Sequence, residues 1–162
     1  MQQGTALVLG LGNPILGDDG VGIAIARAVR ENASALPALD VIEASLGGRF
    51  LLDVIRGYRT VIVADAIMTN EKAPAGSIYR LTVDDLGDIV KPYASHALDL
   101  KTTVELGKRL GYEMPETILI YAVEIKENMV FREGLSPAIE ATVLPVVRKI
   151  IEELNTSVIG RR

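Results

Sequence analysis

The chain has 162 residues, 49% of them hydrophobic, so it can fill one sizeable core, and we expect a single domain over residues 1–162. Its net charge of -4 disfavours nucleic acid as a partner, because binding to phosphates requires a basic surface. The absence of cysteine excludes disulfides, thiolate nucleophiles and sulfur-ligated zinc, so any metal must be held by oxygen and imidazole.

Targeting signals are the next feature that the sequence can exclude. It shows no N-terminal basic segment followed by an apolar stretch, and no apolar run approaches the ~20 residues of a membrane span. We therefore expect no membrane insertion and a cytoplasmic location.

The first predicted element is a strand over Thr5 to Leu9, a continuous apolar run typical of a strand buried on both faces. Turn formers follow, and Asp18 and Asp19 stand just ahead of a helix predicted at about 20–32. This glycine turn matches neither the dinucleotide fingerprint nor the phosphate loop, and two acids would repel phosphate. One acid is explained as a helix cap, whereas a second acid needs another reason.

The rest of the chain alternates apolar strands with amphipathic helices. Strands are predicted at 40–44, 60–64, 77–82 and 117–123, and helices at 49–56, after Ser95-His96 and from Ser136-Pro137 onward. Pro145 predicts a kink within the last helix. The alternation predicts an α/β sandwich with a parallel-rich sheet, for which the flavodoxin-like order 2-1-3-4-5 is the common one.

Three potential metal ligands fall at one edge of the predicted sheet. Asp19 follows the first strand, Asp65 ends the third strand, and His96, the only histidine, precedes a helix. In the predicted order the first and third strands are neighbours, and ligands of open α/β sheets bind at the carboxyl ends of such strands. Two carboxylates and one imidazole suit Ni, Zn, Fe or Mn, and three protein ligands leave positions for water or substrate.

Each of these residues also has an ordinary structural interpretation. A lone histidine is more often a surface or capping residue, and an aspartate that ends a strand is often a turn former. Glu43, at the end of the second strand, is either a fourth acid of the crevice or a solvated strand end. No serine lies in a Gly-x-Ser-x-Gly elbow, so the catalytic residues stay unassigned.

Four separated motifs resemble those of the [NiFe]-hydrogenase maturation endopeptidases, and they cover nearly the whole chain in order and spacing. They are Gly10-Leu11-Gly12-Asn13 leading to Asp18-Asp19-Gly20-Val21-Gly22, then Val63-Ala64-Asp65-Ala66, then Ser95-His96, and Gly134-Leu135-Ser136-Pro137. The resemblance implies a three-layer, phosphorylase/hydrolase-like α/β/α sandwich with a mostly parallel five-stranded sheet.

The resemblance also implies a function. Members remove a short C-terminal extension from the hydrogenase large-subunit precursor after nickel insertion, so nickel would be carried by the substrate and serve as the recognition element. The family's metal ligands fall on Asp19, Asp65 and His96. Many members have Asp-Gly-Gly-Thr after the second strand, thought to help recognise substrate, where this chain has Glu43 to Gly48. Glu43 is therefore the candidate recognition residue, and the cognate hydrogenase stays open.

Two other functions are alternatives. Peptidyl-tRNA hydrolases also open with Gly-Leu-Gly-Asn-Pro after a strand, but here Ile15 follows, no Thr-Arg-His-Asn is present, and the net charge is negative. A non-enzymatic nickel-binding maturation factor would keep the metal site and would need no groove for a peptide.

Overall fold

The structure is a computed structural model that describes residues 5–33, 35–36, 38–45, 49–69, 72–89 and 95–159. At its centre lies a five-stranded sheet in the order β2-β1-β3-β5-β4. The strands are β1 (Ala6–Leu11), β2 (Leu39–Ala44), β3 (Thr60–Ile67), β4 (Ile78–Leu81) and β5 (Thr117–Glu124). All neighbours pair in parallel except β4, which is antiparallel to β5, so the predicted mostly parallel five-stranded sheet is confirmed.

Helices cover both faces of this sheet. One face is packed by α1 (Val21–Asn32), α5 (Pro137–Glu140) and α6 (Val143–Ile159), and the other by α2 (Arg49–Ile55), α3 (Leu86–Ile89) and α4 (Leu100–Arg109). Alternate residues of β1 supply the two cores, because successive strand side chains point to opposite faces: Val8 packs on the α1 side, and Leu7 and Leu9 pack on the other. The predicted three-layer α/β/α sandwich is therefore confirmed.

The predicted strand order was wrong at β4. A parallel neighbour needs a crossover of a dozen or more residues, usually a helix, and the described residues between β3 and β4 contain no helix. The chain instead turns back, and β4 runs antiparallel along the outer edge of β5. The part of the prediction on which the site depends, the pairing of β1 with β3, is confirmed.

Three predicted boundaries also differ. β3 does not end at Asp65 but continues to Ile67, because β5 keeps pairing with it as far as Glu124. The first helix is preceded by a 3-10 turn over Gly17–Gly20. The predicted last helix is two helices that break at 141–142, so Pro145 lies in the first turn of α6, where a missing N–H removes no helix bond.

Two further expectations concern membrane insertion and the recognition segment. No helix within the described part of the chain combines the length and apolar character needed to cross a bilayer. Residues 46–48, which belong to the Glu43 to Gly48 segment that replaces the family's recognition motif, fall outside the described residues.

Candidate active site

The glycine turn between β1 and α1 brings the first helix unusually close to the sheet. A Cβ on Gly22 would lie 2.2 Å from the carbonyl oxygen of Leu11 and 2.3 Å from that of Ala64, so only glycine fits between α1 and the two strands. Gly12 has a φ of +143°, and a Cβ there would lie 2.1 Å from the carbonyl oxygen of Asp19. The glycines therefore serve a steric purpose, which is to seat Asp19 against the carboxyl ends of β1 and β3.

The two adjacent acids of this turn have separate partners. Asp18 accepts hydrogen bonds from the backbone N–H of Ser136, at 2.7 Å, and from its hydroxyl, at 2.8 Å, and its carboxylate lies 3.5 Å from the Arg132 guanidinium. As far as the described residues go, neither the Gly17–Gly20 turn nor α1 has a side-chain cap, so the capping interpretation was wrong. Asp18 instead ties the glycine turn to the segment ahead of α5.

Asp19 faces the only histidine of the chain. Its Oδ2 accepts a hydrogen bond from the backbone N–H of Asn13, at 2.9 Å, and lies 3.1 Å from Nε2 of His96. Asp19 is buried, whereas about a quarter of the His96 side chain, 26%, is exposed. The pair therefore presents an imidazole edge to solvent with a carboxylate behind it.

Asp65 lies fully buried in β3 beside this pair. Its Oδ2 accepts hydrogen bonds from the Ser95 hydroxyl, at 2.8 Å, and from the backbone N–H of Ala97, at 2.9 Å, the residues on either side of His96. Its Oδ1 is buried and has no hydrogen-bond partner among the described residues. A buried carboxylate oxygen left in this state is costly unless a ligand uses it.

The pKa values of Asp65 and His96 are both raised in this cluster. Burial raises the pKa of Asp65 to about 7, in spite of the opposing influence of the His96 charge and the hydrogen bonds from Ser95 and Ala97. The hydrogen bond to Asp19 raises the pKa of His96, and the negative charges of Asp65 and Asp19 act in the same direction, against partial burial. Near neutral pH the cluster therefore holds protons that a bound cation would displace.

The cluster is not a preassembled metal cage. In residues that the structure describes, no group of three or more His, Asp or Glu side chains is arranged to hold a metal ion. The structure does bring Asp19 and His96 into contact and places Asp65 against the residues that flank His96. Their role as metal ligands stays a prediction.

Comparison with known proteins identifies the chain's relatives. A family profile described as "Hydrogenase maturation protease" matches residues 23–153, which is most of the chain and includes Asp65 and His96. The chain belongs to this protease family. The resemblance stated from the motifs is therefore confirmed, and the peptidyl-tRNA hydrolase and non-enzymatic alternatives are set aside.

Individual relatives agree with this assignment. The chain is 26% identical over 152 residues to the hydrogenase 2 maturation protease of Escherichia coli, and the match covers 93% of this chain and 91% of that protein. It matches the solved structure of the hydrogenase maturating endopeptidase HybD from E. coli with a TM-score of 0.77 and 25% identity, over 94% and 93% of the two chains. A [NiFe] hydrogenase maturation protease from Thermococcus kodakarensis matches with a TM-score of 0.68 and 26% identity, over 92% and 97%. The protein is thus a peptide-bond hydrolase of the maturation endopeptidase kind.

Glu43 is not brought to the cluster of this maturation protease. Its carboxylate receives hydrogen bonds from Arg27, at 3.1 and 3.2 Å, and from Arg30, at 3.0 Å, both on α1. Glu43 lies two residues after Val41 in β2 and so shares the α1 face of the sheet with it, whereas Asp65 lies two residues after Val63 in β3 and shares the opposite face. The fourth-acid interpretation is therefore not supported by the structure, and a role in substrate recognition stays a prediction.

The role of Ser95 was missed from the sequence, and His96 was placed for a wrong reason. Ser95 was noted only as part of a motif, but its hydroxyl bonds to Asp65 and also accepts the Ala97 N–H, at 3.1 Å, as the N-cap of the turn over His96–Asp99. His96 was placed by assuming that β4 ends at the carboxyl edge of the sheet. That reason was wrong because β4 is antiparallel and ends at the opposite edge, but Ser95 and Ala97 do lie against Asp65.

Proposed function

We propose that this maturation protease removes the C-terminal extension of a nickel-loaded [NiFe]-hydrogenase large-subunit precursor and recognises the nickel through Asp19, Asp65 and His96. The observation that carries the proposal is the buried Oδ1 of Asp65, unpartnered within the described part of the chain, beside the Asp19–His96 pair. Selection against unpaired buried polar groups makes such an atom a candidate for a ligand.

The donor set fits nickel brought by the substrate. Two carboxylates and an imidazole suit a borderline divalent ion, and the chain has no cysteine with which to hold it more firmly. Since no ready cage exists in the described residues, we expect weak binding of free ions, with other divalent ions able to occupy the site, and completion of the site only by a metal held in the precursor's own thiolates.

Recognition through nickel would also position the peptide bond to be cleaved. An ion fixed between the precursor and the protease limits how the adjacent C-terminal segment can lie, and such positioning lowers reaction barriers by several kcal/mol. The protease residues act by holding this geometry: Asp19 fixes the His96 ring through Nε2, and Ser95 fixes the carboxylate of Asp65. We place this reaction in the cytoplasm and name Glu43 as a candidate contact to the precursor.

The test offers nickel-loaded and nickel-free precursor to one enzyme stock and follows loss of the C-terminal peptide by mass spectrometry. We expect the nickel-loaded form to be cleaved and the nickel-free form to stay intact, because each 1.4 kcal/mol of metal–ligand energy changes binding about tenfold. Equal cleavage of both forms would refute recognition through nickel and leave only the protease activity.

A further inference from the structure

Large apolar side chains are exposed beside the glycine turn. Among the described residues, Phe131 is 80% exposed and Met129 is 75% exposed, more than any other large hydrophobic residue. Val130 lies between them in the sequence and is also exposed, as is Ile15 in the glycine turn. We call Ile15, Met129, Val130 and Phe131 the apolar lip. Contiguous exposed apolar residues on a soluble protein usually mark a site of interaction.

The lip is attached to the candidate active site through the backbone. The N–H of Arg132 donates to the carbonyl of Ile15, at 3.0 Å, and the N–H of Gly17 donates to the carbonyl of Arg132, at 2.8 Å. Asp18 then binds the backbone and hydroxyl of Ser136. The segment that follows the lip, residues 132–136, is therefore hydrogen-bonded to the turn that carries Asp19 at both of its ends.

An apolar groove continues from the glycine turn along the start of α1. It has a volume of about 220 Å³; Pro14, Ile23 and Leu135 contribute its apolar lining, and the charged Arg27 and Glu140 also line it. The groove shares Gly17 with the backbone contact that holds the lip. A chain segment bound on the lip could therefore extend over further apolar surface without leaving the neighbourhood of Asp19.

We propose that the apolar lip binds an apolar segment of the hydrogenase large-subunit precursor and holds it against the active site. This inference rests on the proposed function, because it takes the precursor as the substrate. The position of the lip determines its occupant. Ile15 belongs to the same glycine turn as Asp19, and Phe131 is followed by Arg132, which is hydrogen-bonded to that turn. A protein substrate at the candidate active site therefore has to pass beside the lip. Exposed aromatic and methionine side chains are typical anchors of protein interfaces, and residues 129–131 carry no charge.

The test compares the double variant Met129→Ser/Phe131→Ser with the control Leu110→Ser. Leu110 is also apolar and 55% exposed, but it lies after the C-terminal end of α4, away from the helix end that carries His96. Binding to immobilised precursor and the kinetics of cleavage are measured for each protein. Because all three side chains are largely exposed, every variant should unfold at the temperature of the unaltered protein.

The double variant should bind the precursor at least about tenfold more weakly and show a similar rise in KM with kcat little changed, whereas the control should match the unaltered protein. Equal affinity of the double variant and the control would overturn the proposal. So would a dimer that the double variant abolishes, with precursor affinity unchanged, since the lip would then be a self-interface. The binding measurement requires no cleavage, so it tests the lip even if the protease does not recognise nickel. A failure of nickel recognition would be detected by a different result, which is equal cleavage of nickel-loaded and nickel-free precursor.

Discussion

Replacing Asp65 by asparagine should make the protein more stable at neutral pH and above. The buried carboxyl has its pKa raised from an ordinary value of 3.8 to about 7, chiefly by burial, so the folded state binds a proton that the unfolded state releases. A carboxyl whose pKa is raised in the folded state contributes this stability in full below its unfolded pKa of 3.8. The contribution is lost as the pH rises through the folded pKa of about 7. Above that pH the folded protein contains a buried, ionised carboxylate.

The size of the pKa shift of Asp65 gives the expected change in the free energy of unfolding. One pKa unit corresponds to about 1.4 kcal/mol, so the interval from 3.8 to about 7 corresponds to about 4 kcal/mol of unfolding free energy. Asparagine stays neutral and keeps an oxygen that can accept from Ser95 and Ala97. The gain in stability of Asp65→Asn over the unaltered protein should therefore grow by up to about 4 kcal/mol between pH 4 and pH 8.

Urea unfolding at intervals from pH 4 to pH 8, with a chelator present, measures this difference. Asp53→Asn, at an exposed position on α2, controls for the loss of one carboxylate. The same Asp65→Asn protein should fail to process precursor, so greater stability and lost activity should occur together, as expected where a site is retained for function. A stability difference that stays constant over this pH range, or that becomes more unfavourable as the pH rises, would show that the pKa of Asp65 is not raised in the folded protein.

Three further predictions concern the neighbourhood of the site. Gly22→Ala should destabilise the protein by about 1–3 kcal/mol or more in thermal or urea unfolding, because its Cβ would meet two backbone oxygens. Gly87→Ala in α3 should be neutral or slightly stabilising, because its Cβ would have no described atom within 4 Å apart from its chain neighbours and its own helix. Asp18→Ala should cost about 1–3 kcal/mol by leaving the Ser136 donors without their acceptor, and should slow processing without changing nickel affinity, which titration calorimetry checks. Affinity for Ni²⁺ should fall as the pH is lowered, with a midpoint above 6.5 because Asp19 raises the pKa of His96, and a flat profile from pH 5 to pH 8 would exclude His96 as a ligand.

The sequence was sufficient for those parts of the fold that depend on local pattern. The apolar runs located β1, β3 and β5, and because neighbouring parallel strands end at one edge, the pairing of β1 with β3 brought Asp19 towards Asp65. The position of β4 could not be obtained in this way, since its direction depends on the lack of a crossover helix before it. Contacts between distant residues were also out of reach: Asp18 and Ser136 are 118 positions apart, and neither carries a local signal of the other.

The partners of a carboxylate decide its role, and here they separate residues that look alike in the sequence. Asp18 and Asp19 are adjacent, but one is occupied by Ser136 and the other faces His96. Glu43 stands at a strand end near the same edge but is neutralised by two arginines of α1. Asp65 is a candidate ligand because its Oδ1 has no partner among the described residues, and Asp19 is one because it contacts the imidazole of His96. Only the folded structure shows these partners.

Nickel X-ray absorption detects whether Asp19, Asp65 and His96 contact the precursor's nickel, because it reports the ligands of the metal itself. The nickel-loaded precursor, altered at its cleavage site so that it is not hydrolysed, is measured alone and in complex with the protease. We predict that complex formation adds oxygen and nitrogen ligands to the nickel, and that the nitrogen contribution of imidazole is missing with His96→Ala. A nickel spectrum that is unchanged when the unaltered protease binds would show that these residues do not contact the metal.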